Sequence, residues 1–289
     1  MRAPLRPHEL DIPGFHRIDV VEESTSTNSE LVAAVRADPR AWPAPSALVA
    51  ERQTAGRGRA GRSWETPPRA SLTVSILLRP AVPAERLGWL PLLAGTAVVR
   101  TVSGDDGGSA PGSDRDDGAA DLAVKWPNDV LVRADTPVTG LGGYRKVAGI
   151  LAEVVPGGTA GEPVAVVLGI GLNVSQTAGE LPVETASSLA LAGYGDLDRT
   201  SLLSALLGEV AAAVGRWERA GGDPVASGLA AECVRVSATL GTRVRAELAG
   251  GAGTVRGEAV RLDATGALVI RTGEGEERTV SAGDVHHLR

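Results

Sequence analysis

Lysine is nearly missing from this chain. Its 289 residues include 27 arginines but only two lysines, Lys125 and Lys146. Arginine therefore stands wherever a generic positive charge serves, and a lysine marks a place that needs a compact ammonium rather than a planar guanidinium fork. Asparagine is almost as scarce, at Asn28, Asn128 and Asn173. All five residues fall inside short polar motifs, which chance scatter does not readily produce. The single cysteine, Cys233, excludes an intrachain disulfide and leaves no thiolate zinc site. No apolar run is long enough to cross a bilayer. Arg2 and Arg6 have no apolar stretch behind them, which speaks against a secretory leader and for a cytoplasmic protein without membrane contact.

What is present is ordinary in bulk, with 43% hydrophobic and 22% charged residues. A chain of this length holds one substantial core and a smaller second one, and the texture divides it into residues 1–235 and 236–289. Net charge is −6, but six Asp and one Arg between Gly104 and Asp121 carry most of it. That Gly-, Ser- and Asp-rich stretch reads as a solvated, disordered insert. The opposite bias lies between Arg52 and Arg69, where five Arg face Glu65 alone. That stretch wants an anion.

Thr27 to Glu30 reads as a capping box opening a short helix at Thr27, with Leu31, Val32 and Val35 on its apolar face. Residues 46–51 and 72–78 have the look of strands joined by the Arg-Gly loop, and residues 83–102 of a buried helix. Two strands, 122–125 and 129–133, flank a Pro-Asn-Asp turn, and longer central strands cover 147–155 and 164–173. The sheet is expected to be mostly antiparallel. Residues 200–219 carry Leu203, Leu206, Leu207, Val210, Val214 and Trp217 at helical spacing. After Cys233, short glycine-separated strands at 242–248, 254–262, 267–271 and 277–280 suggest a small SH3-like barrel.

The loop Gly56-Arg57-Gly58-Arg59-Ala60-Gly61-Arg62 lacks a Gly-Lys-Ser/Thr ending and is no P-loop. Its free backbone N–H groups and its guanidinium forks still suit phosphate. Alone, the loop fits an exposed basic hairpin or an RNA-binding segment equally well. Lys125-Trp126-Pro127-Asn128-Asp129 sets a cation, an aromatic, an amide and a carboxylate on one turn, which packing alone can also require. Lys146, read by itself, is an ordinary edge charge.

In combination the motifs are specific. Ser26-Thr27-Asn28, Glu51-Arg52-Gln53-Thr54-Ala55 running into the Arg-Gly loop and Ser63-Trp64, then Lys125 to Asp129, Lys146-Val147-Ala148-Gly149-Ile150-Leu151 and Gly169-Ile170-Gly171-Leu172-Asn173 occur in an order that resembles the biotin protein ligases over the whole chain. The resemblance implies an α/β (α+β) catalytic domain related to class II aminoacyl-tRNA synthetases, with a mixed, mostly antiparallel sheet and a C-terminal SH3-like β-barrel. It implies activation of biotin with ATP and Mg²⁺ to biotinoyl-5′-AMP, then transfer to a lysine on the biotin carboxyl carrier domain of acetyl-CoA carboxylase or a related acyl-CoA carboxylase. The metal would be held mainly by the ATP phosphates.

Carried over motif by motif, Ser26, Thr27, Asn28, Gln53, Arg57, Gly58, Arg59, Lys146 and Gly149 would bind biotin. Arg62, Trp64, Asn128 and Asn173 would lie on the nucleotide side, and Lys146, Arg57, Arg59 and Asp129 would serve the chemistry. Asp129 is a candidate to orient the acceptor lysine or take its proton. Whether Lys125 touches substrate stays open. Only 25 residues precede Ser26, so a DNA-binding domain and a DNA partner are not expected, and a monomer or weak homodimer is. The alternatives are a lipoate or octanoate ligase of the same fold, against which the missing Arg-Arg-x-x-Gly-Gly motif counts, and a non-enzymatic biotin-sensing or nucleic-acid-binding module. A ligase that acylates lysines would offer its own adenylate very few.

Overall fold

Seven strands with alternating or continuous apolar residues need a covered face on each side, and the computed structural model, which describes residues 2–104, 122–155, 163–195, 197–251 and 253–288, shows how this chain supplies it. The strands are β1 (Arg17–Val21), β2 (Ser46–Ala50), β5 (Ser71–Leu78), β6 (Leu122–Lys125), β7 (Asp129–Val138), β8 (Gly142–Val154) and β9 (Val166–Asn173). They lie in the order β1-β2-β5-β9-β8-β7-β6. Only β1 and β2 run parallel; every other pair is antiparallel. Within the Arg-Gly stretch, β3 (Gly56–Arg57) and β4 (Ser63–Trp64) form a two-stranded ribbon of their own.

Period-two alternation divides the sheet's two faces. Leu72, Val74 and Ile76 of β5 and Leu168, Ile170 and Leu172 of β9 join a core with α2 (Leu90–Ser103) and α3 (Arg199–Arg219). On the other face, α1 (Thr27–Ala37) lays Leu31 and Val35 over Leu48, Leu77 and Val167. Helix α1 covers only one end of that face. Beyond its N-terminus the strands present Thr73 and Ser75, Gly169, Gly171 and Asn173, and Gly149, residues too small or too polar to need a helix above them. The register aligns Lys125, Asp129, Gly149, Gly171 and Thr73 in one row across five strands.

A short helix α4 (Leu229–Arg235) leads to the second sheet, formed by β10 (Arg243–Leu248), β11 (Thr254–Leu262), β12 (Leu268–Arg271), β13 (Glu277–Val280) and β14 (Gly283–His287) in the order β13-β12-β11-β10-β14. Its Val244, Ala246, Leu268 and Ile270 belong to the same hydrophobic core as the large sheet. Trp89 Nε1 donates to Ala264 O at 3.1 Å and Trp126 Nε1 to Gly266 O at 3.0 Å, so two indoles rivet the sheets together.

Several expectations shift. The cap of α1 is Ser26, whose side chain accepts from Ser29 N, while Glu30 accepts from Thr25 N and Oγ1. The box therefore sits one or two residues earlier than Thr27, which leaves the Thr27 hydroxyl free for other work. Residues 84–89 are a separate 3₁₀ turn before α2, with Pro91 in that helix's first turn. The β7–β8 hairpin is longer than its apolar pattern, and β1, β14 and α4 carry too little pattern to read. The acidic insert lies outside the described residues apart from Gly104.

Candidate active site

The uncovered part of the sheet face floors a cavity of 760 Å³. Each residue carried over from the motifs lines it: Ser26, Thr27, Asn28 and Gln53 at one end, Arg57, Gly58, Arg59, Arg62 and Trp64 from the loop above, and Asn128, Asp129, Lys146, Gly149 and Asn173 along the floor and far wall. Pro182, Val183, Thr185 and Ala186, from the segment after β9, complete it. Lys125 is the exception. It is 7% exposed, lines no part of the cavity, and burial pushes its ammonium's pKa below the usual lysine range.

At the α1 end the polar groups form one hydrogen-bonded network. Gln53 Oε1 accepts from Thr27 N at 2.8 Å and Thr27 Oγ1 at 3.0 Å. Ser75 Oγ lies 2.8 Å from Thr27 Oγ1 and 2.6 Å from Asn28 Oδ1, and its single proton serves one of them. Asn28 Nδ2 donates to Leu151 O at 3.1 Å and Glu153 Oε2 at 2.8 Å. Gly169 is required here because a Cβ would strike the Asn28 amide. The sequence reading missed Ser75 and Glu153; their signal was a polar residue at alternate strand positions facing the same side as the glycines.

The far end is charged. Lys146 Nζ sits 2.6 Å from Asp129 Oδ1 and 5.4 Å from the Trp64 ring centroid. The Trp64 indole lies over Gly171 and Gly149, where a Cβ would come within 2.5 Å and 3.2 Å of it. Its buried N–H has no partner among the described residues. Asn128 Nδ2 donates to Ile150 O at 2.7 Å, and Asn173 Nδ2 to Ser187 O at 2.9 Å, so both amides hold backbone in place. Lys146 N donates to Thr185 O and Ser187 N to Lys146 O, both at 2.8 Å, clasping the lysine's own backbone.

The Arg-Gly loop is tied at both ends. Arg57 pairs with Glu153 at 2.9 Å, and Arg62 pairs with Asp284 of β14. Between them Arg59 has no ion-pair partner among the described residues, and desolvation lowers its pKa from the ordinary arginine value. A second cavity of 740 Å³ lies across the loop, bordered by Gly88, Trp126, Pro127, Thr265 and Gly266. No cluster of three His, Cys, Asp or Glu side chains that could cage a metal occurs among the described residues. Such a site can take a neutral, hydrogen-bonding head group at one end and bring two anions together at the other.

That arrangement agrees with what the chain resembles. The model of the biotin/lipoate A/B protein ligase family matches residues 20–173, and that of the biotin protein ligase C-terminal domain matches residues 239–288. A biotin–[acetyl-CoA-carboxylase] ligase of Mycobacterium tuberculosis is 41% identical over 277 residues, 96% of this chain and 91% of that protein. Among solved structures, the biotin protein ligase from Aquifex aeolicus in complex with biotin and ATP has a TM-score of 0.68 at 26% identity, covering 95% of this chain and 100% of that one. The Leishmania major biotin protein ligase in complex with biotinyl-5-AMP has a TM-score of 0.56 at 26% identity, covering 93% and 98%. The chain belongs to the biotin protein ligases, within the wider biotin/lipoate ligase family.

Proposed function

We propose that the chain joins the carboxylate of biotin to the α-phosphate of ATP, releases pyrophosphate, and passes the biotinoyl group to a lysine of a carboxyl carrier domain, that of acetyl-CoA carboxylase or a related acyl-CoA carboxylase. The observation that carries this is the gathering of five separate motifs round one cavity, polar and neutral at the α1 end and cationic at the other. Thr27, Asn28 and Gln53, with Ser26 at the helix cap, supply donors and acceptors fitted to a ureido head group. Arg57, Gly58 and Arg59 close over biotin and the adenylate, Gly149 leaves room for biotin, and Arg62, Trp64, Asn128 and Asn173 take the nucleotide side.

Carboxylate and phosphate repel, so positive charge is the main catalytic demand. Lys146, a point charge on a flexible stem, can leave Asp129 and bridge the two anions, which a planar guanidinium does less readily. The desolvated Arg59 adds a second cation at low reorganisation cost. A divalent cation would enter this site as cargo of the triphosphate, held mainly by its phosphates; bound there, Mg²⁺ would neutralise charge on the departing pyrophosphate. No enzyme nucleophile is needed, because the mixed anhydride is already activated. Asp129, once released by Lys146, is placed to orient the acceptor amine or accept its proton.

The reading includes a cytoplasmic monomer or weak homodimer without a DNA partner, and a domain division at residues 235 and 236, where α4 ends. It favours biotin over lipoate because Thr27, Asn28 and Gln53 set hydrogen-bonding groups at the α1 end of the cavity, which a ureido head group can use and a dithiolane cannot. Incubation with ATP, Mg²⁺, a carrier domain and either biotin or lipoate tests it: biotin on one carrier lysine is expected. Lipoyl transfer, or no transfer, would refute it.

A further inference from the structure

The cavity's far wall is built from loop. Pro182, Val183, Thr185 and Ala186 line it, and the same stretch clasps Lys146 through Thr185 O and Ser187 N, both at 2.8 Å. The start of the stretch fixes Asn173, since Gln176 Nε2 donates to Asn173 Oδ1 at 2.8 Å while Asn173 Nδ2 donates to Ser187 O. Residues 174–188 are irregular backbone broken by the 3₁₀ turn Ala178–Glu180, and such segments open more readily than the strands they border. Arg2 holds this one with four hydrogen bonds. Its Nε donates to Ser175 Oγ at 3.0 Å and its Nη2 to Ser175 O at 2.8 Å, while Nη1 and Nη2 donate to the two Glu180 carboxylate oxygens at 3.0 and 2.6 Å. A guanidinium fork can hold a carboxylate and a backbone carbonyl together in fixed geometry, which an ammonium does less well. Glu180 in turn closes its own turn by accepting from Thr177 N at 2.9 Å and Thr177 Oγ1 at 3.0 Å.

Arg2 reaches out from a fixed base, where an untied terminal segment would fray. Leu5 is buried in the core and its N–H donates to Glu51 Oε1 at 2.5 Å, and Ala3 O accepts from Arg199 Nη2 at 2.7 Å. Glu51 and Arg199 are 3% and 7% exposed and lie 2.7 Å apart, an ion contact outside hydrogen-bond angles. We propose that Arg2 is a positioning residue for adenylate formation: anchored on Glu51 and Arg199, it locks the 175–180 turn and so sets the wall that holds Lys146 and Asn173 in place. The proposal rests on the ligase reading above. Because Arg2 acts through the far wall, its loss shifts the charged end of the cavity. The α1 end keeps its shape, since Thr27, Asn28 and Gln53 are held there by Ser75, Glu153 and one another. The turnover number therefore falls while the KM for biotin holds.

The test compares wild type with Arg2→Ala, Arg2→Lys and Glu180→Ala, each well below its melting temperature. Biotin-dependent pyrophosphate release gives kcat and KM, and amide hydrogen exchange is followed in peptides covering Lys146 and Ser187. In Arg2→Ala, kcat should fall about tenfold or more, as a small misplacement of reacting groups does, with the KM for biotin unchanged and exchange faster in both peptides. Arg2→Lys, which keeps the charge and loses the fork, should recover part of the rate. Glu180→Ala should follow Arg2→Ala, and the double variant should lose no more than the worse single one, because both remove one interaction. If Arg2→Ala does not fold, Arg2→Lys and Glu180→Ala carry the same two readouts. A wild-type kcat with wild-type exchange, or a biotin KM that rises as far as kcat falls, would overturn the role given to Arg2. Wild type that releases no pyrophosphate with biotin would overturn the ligase reading instead, and exchange at Lys146 and Ser187 would still decide whether Arg2 sets the wall.

Discussion

Single residues act here through what they make room for as much as through what they donate. Gly171 is the clearest case, because the Trp64 indole rests on it and a Cβ would fall within 2.5 Å of the ring. Gly171→Ala lifts that ring into the cavity, an overpacking cost of about 1 to 3 kcal/mol. ATP affinity, measured by titration calorimetry with biotin present, should fall about tenfold for each 1.4 kcal/mol of that cost expressed in binding; unchanged affinity would show that the indole does not border the nucleotide. Much of this scale was legible in the sequence. Scarcity picked out Lys146, Asn28, Asn128 and Asn173, and motif order picked out the rest. Glu153 and Ser75 were not legible, since each is an ordinary polar residue on a strand until the register brings it beside Asn28. Lys125 shows the opposite limit: it shares the rarity of Lys146 but lies buried under the second sheet.

At the scale of elements, the Arg-Gly loop is suspended between β8 and β14 by two ion pairs. Glu153 anchors both that loop, through Arg57, and Asn28. Glu153→Ala should therefore weaken biotin binding by about tenfold, the worth of a charge-assisted hydrogen bond lost at each of two partners after exposure is discounted. An unaltered dissociation constant would show the anchor to be idle.

Strand β14 carries a different dependence. Burial, reinforced by the nearby charges of Lys125 and His286, pushes the His287 imidazole from 6.5 down to about 4. The unfolded chain takes up a proton near pH 6.5 and the folded one only near 4, so stability is whole above that window and drains as pH falls through it. The loss is ~3 kcal/mol at most. Urea midpoints should drop across this range in wild type and much less in His287→Gln; equal slopes would remove His287 as the cause. Legibility at this scale followed pattern strength. Strands β5 and β9 alternate cleanly, whereas β14 has Gly283, Asp284 and two histidines and shows no period.

At the scale of the whole molecule, the two sheets share one core and two indole hydrogen bonds. Trp126 belongs to the same turn as Asn128 and Asp129, so the second sheet braces that turn from behind. Calorimetry should show one cooperative unfolding transition for the full chain, and two separated transitions would mean that the sheets fold independently. The composition foresaw two units but not their shared core, because residues such as Leu268 and Ile270 read equally well as the interior of a free-standing barrel.

The central claim is that this cavity activates a carboxylate with ATP and that Lys146 carries the charge for it. Biotin-dependent pyrophosphate release, measured without any carrier domain, reads that step alone. Wild type should release pyrophosphate only when biotin is present, and Lys146→Arg should lose most of that release, by about a hundredfold or more if one preorganised charge contact is removed. Wild-type release from Lys146→Arg, or release that ignores biotin, would contradict the account.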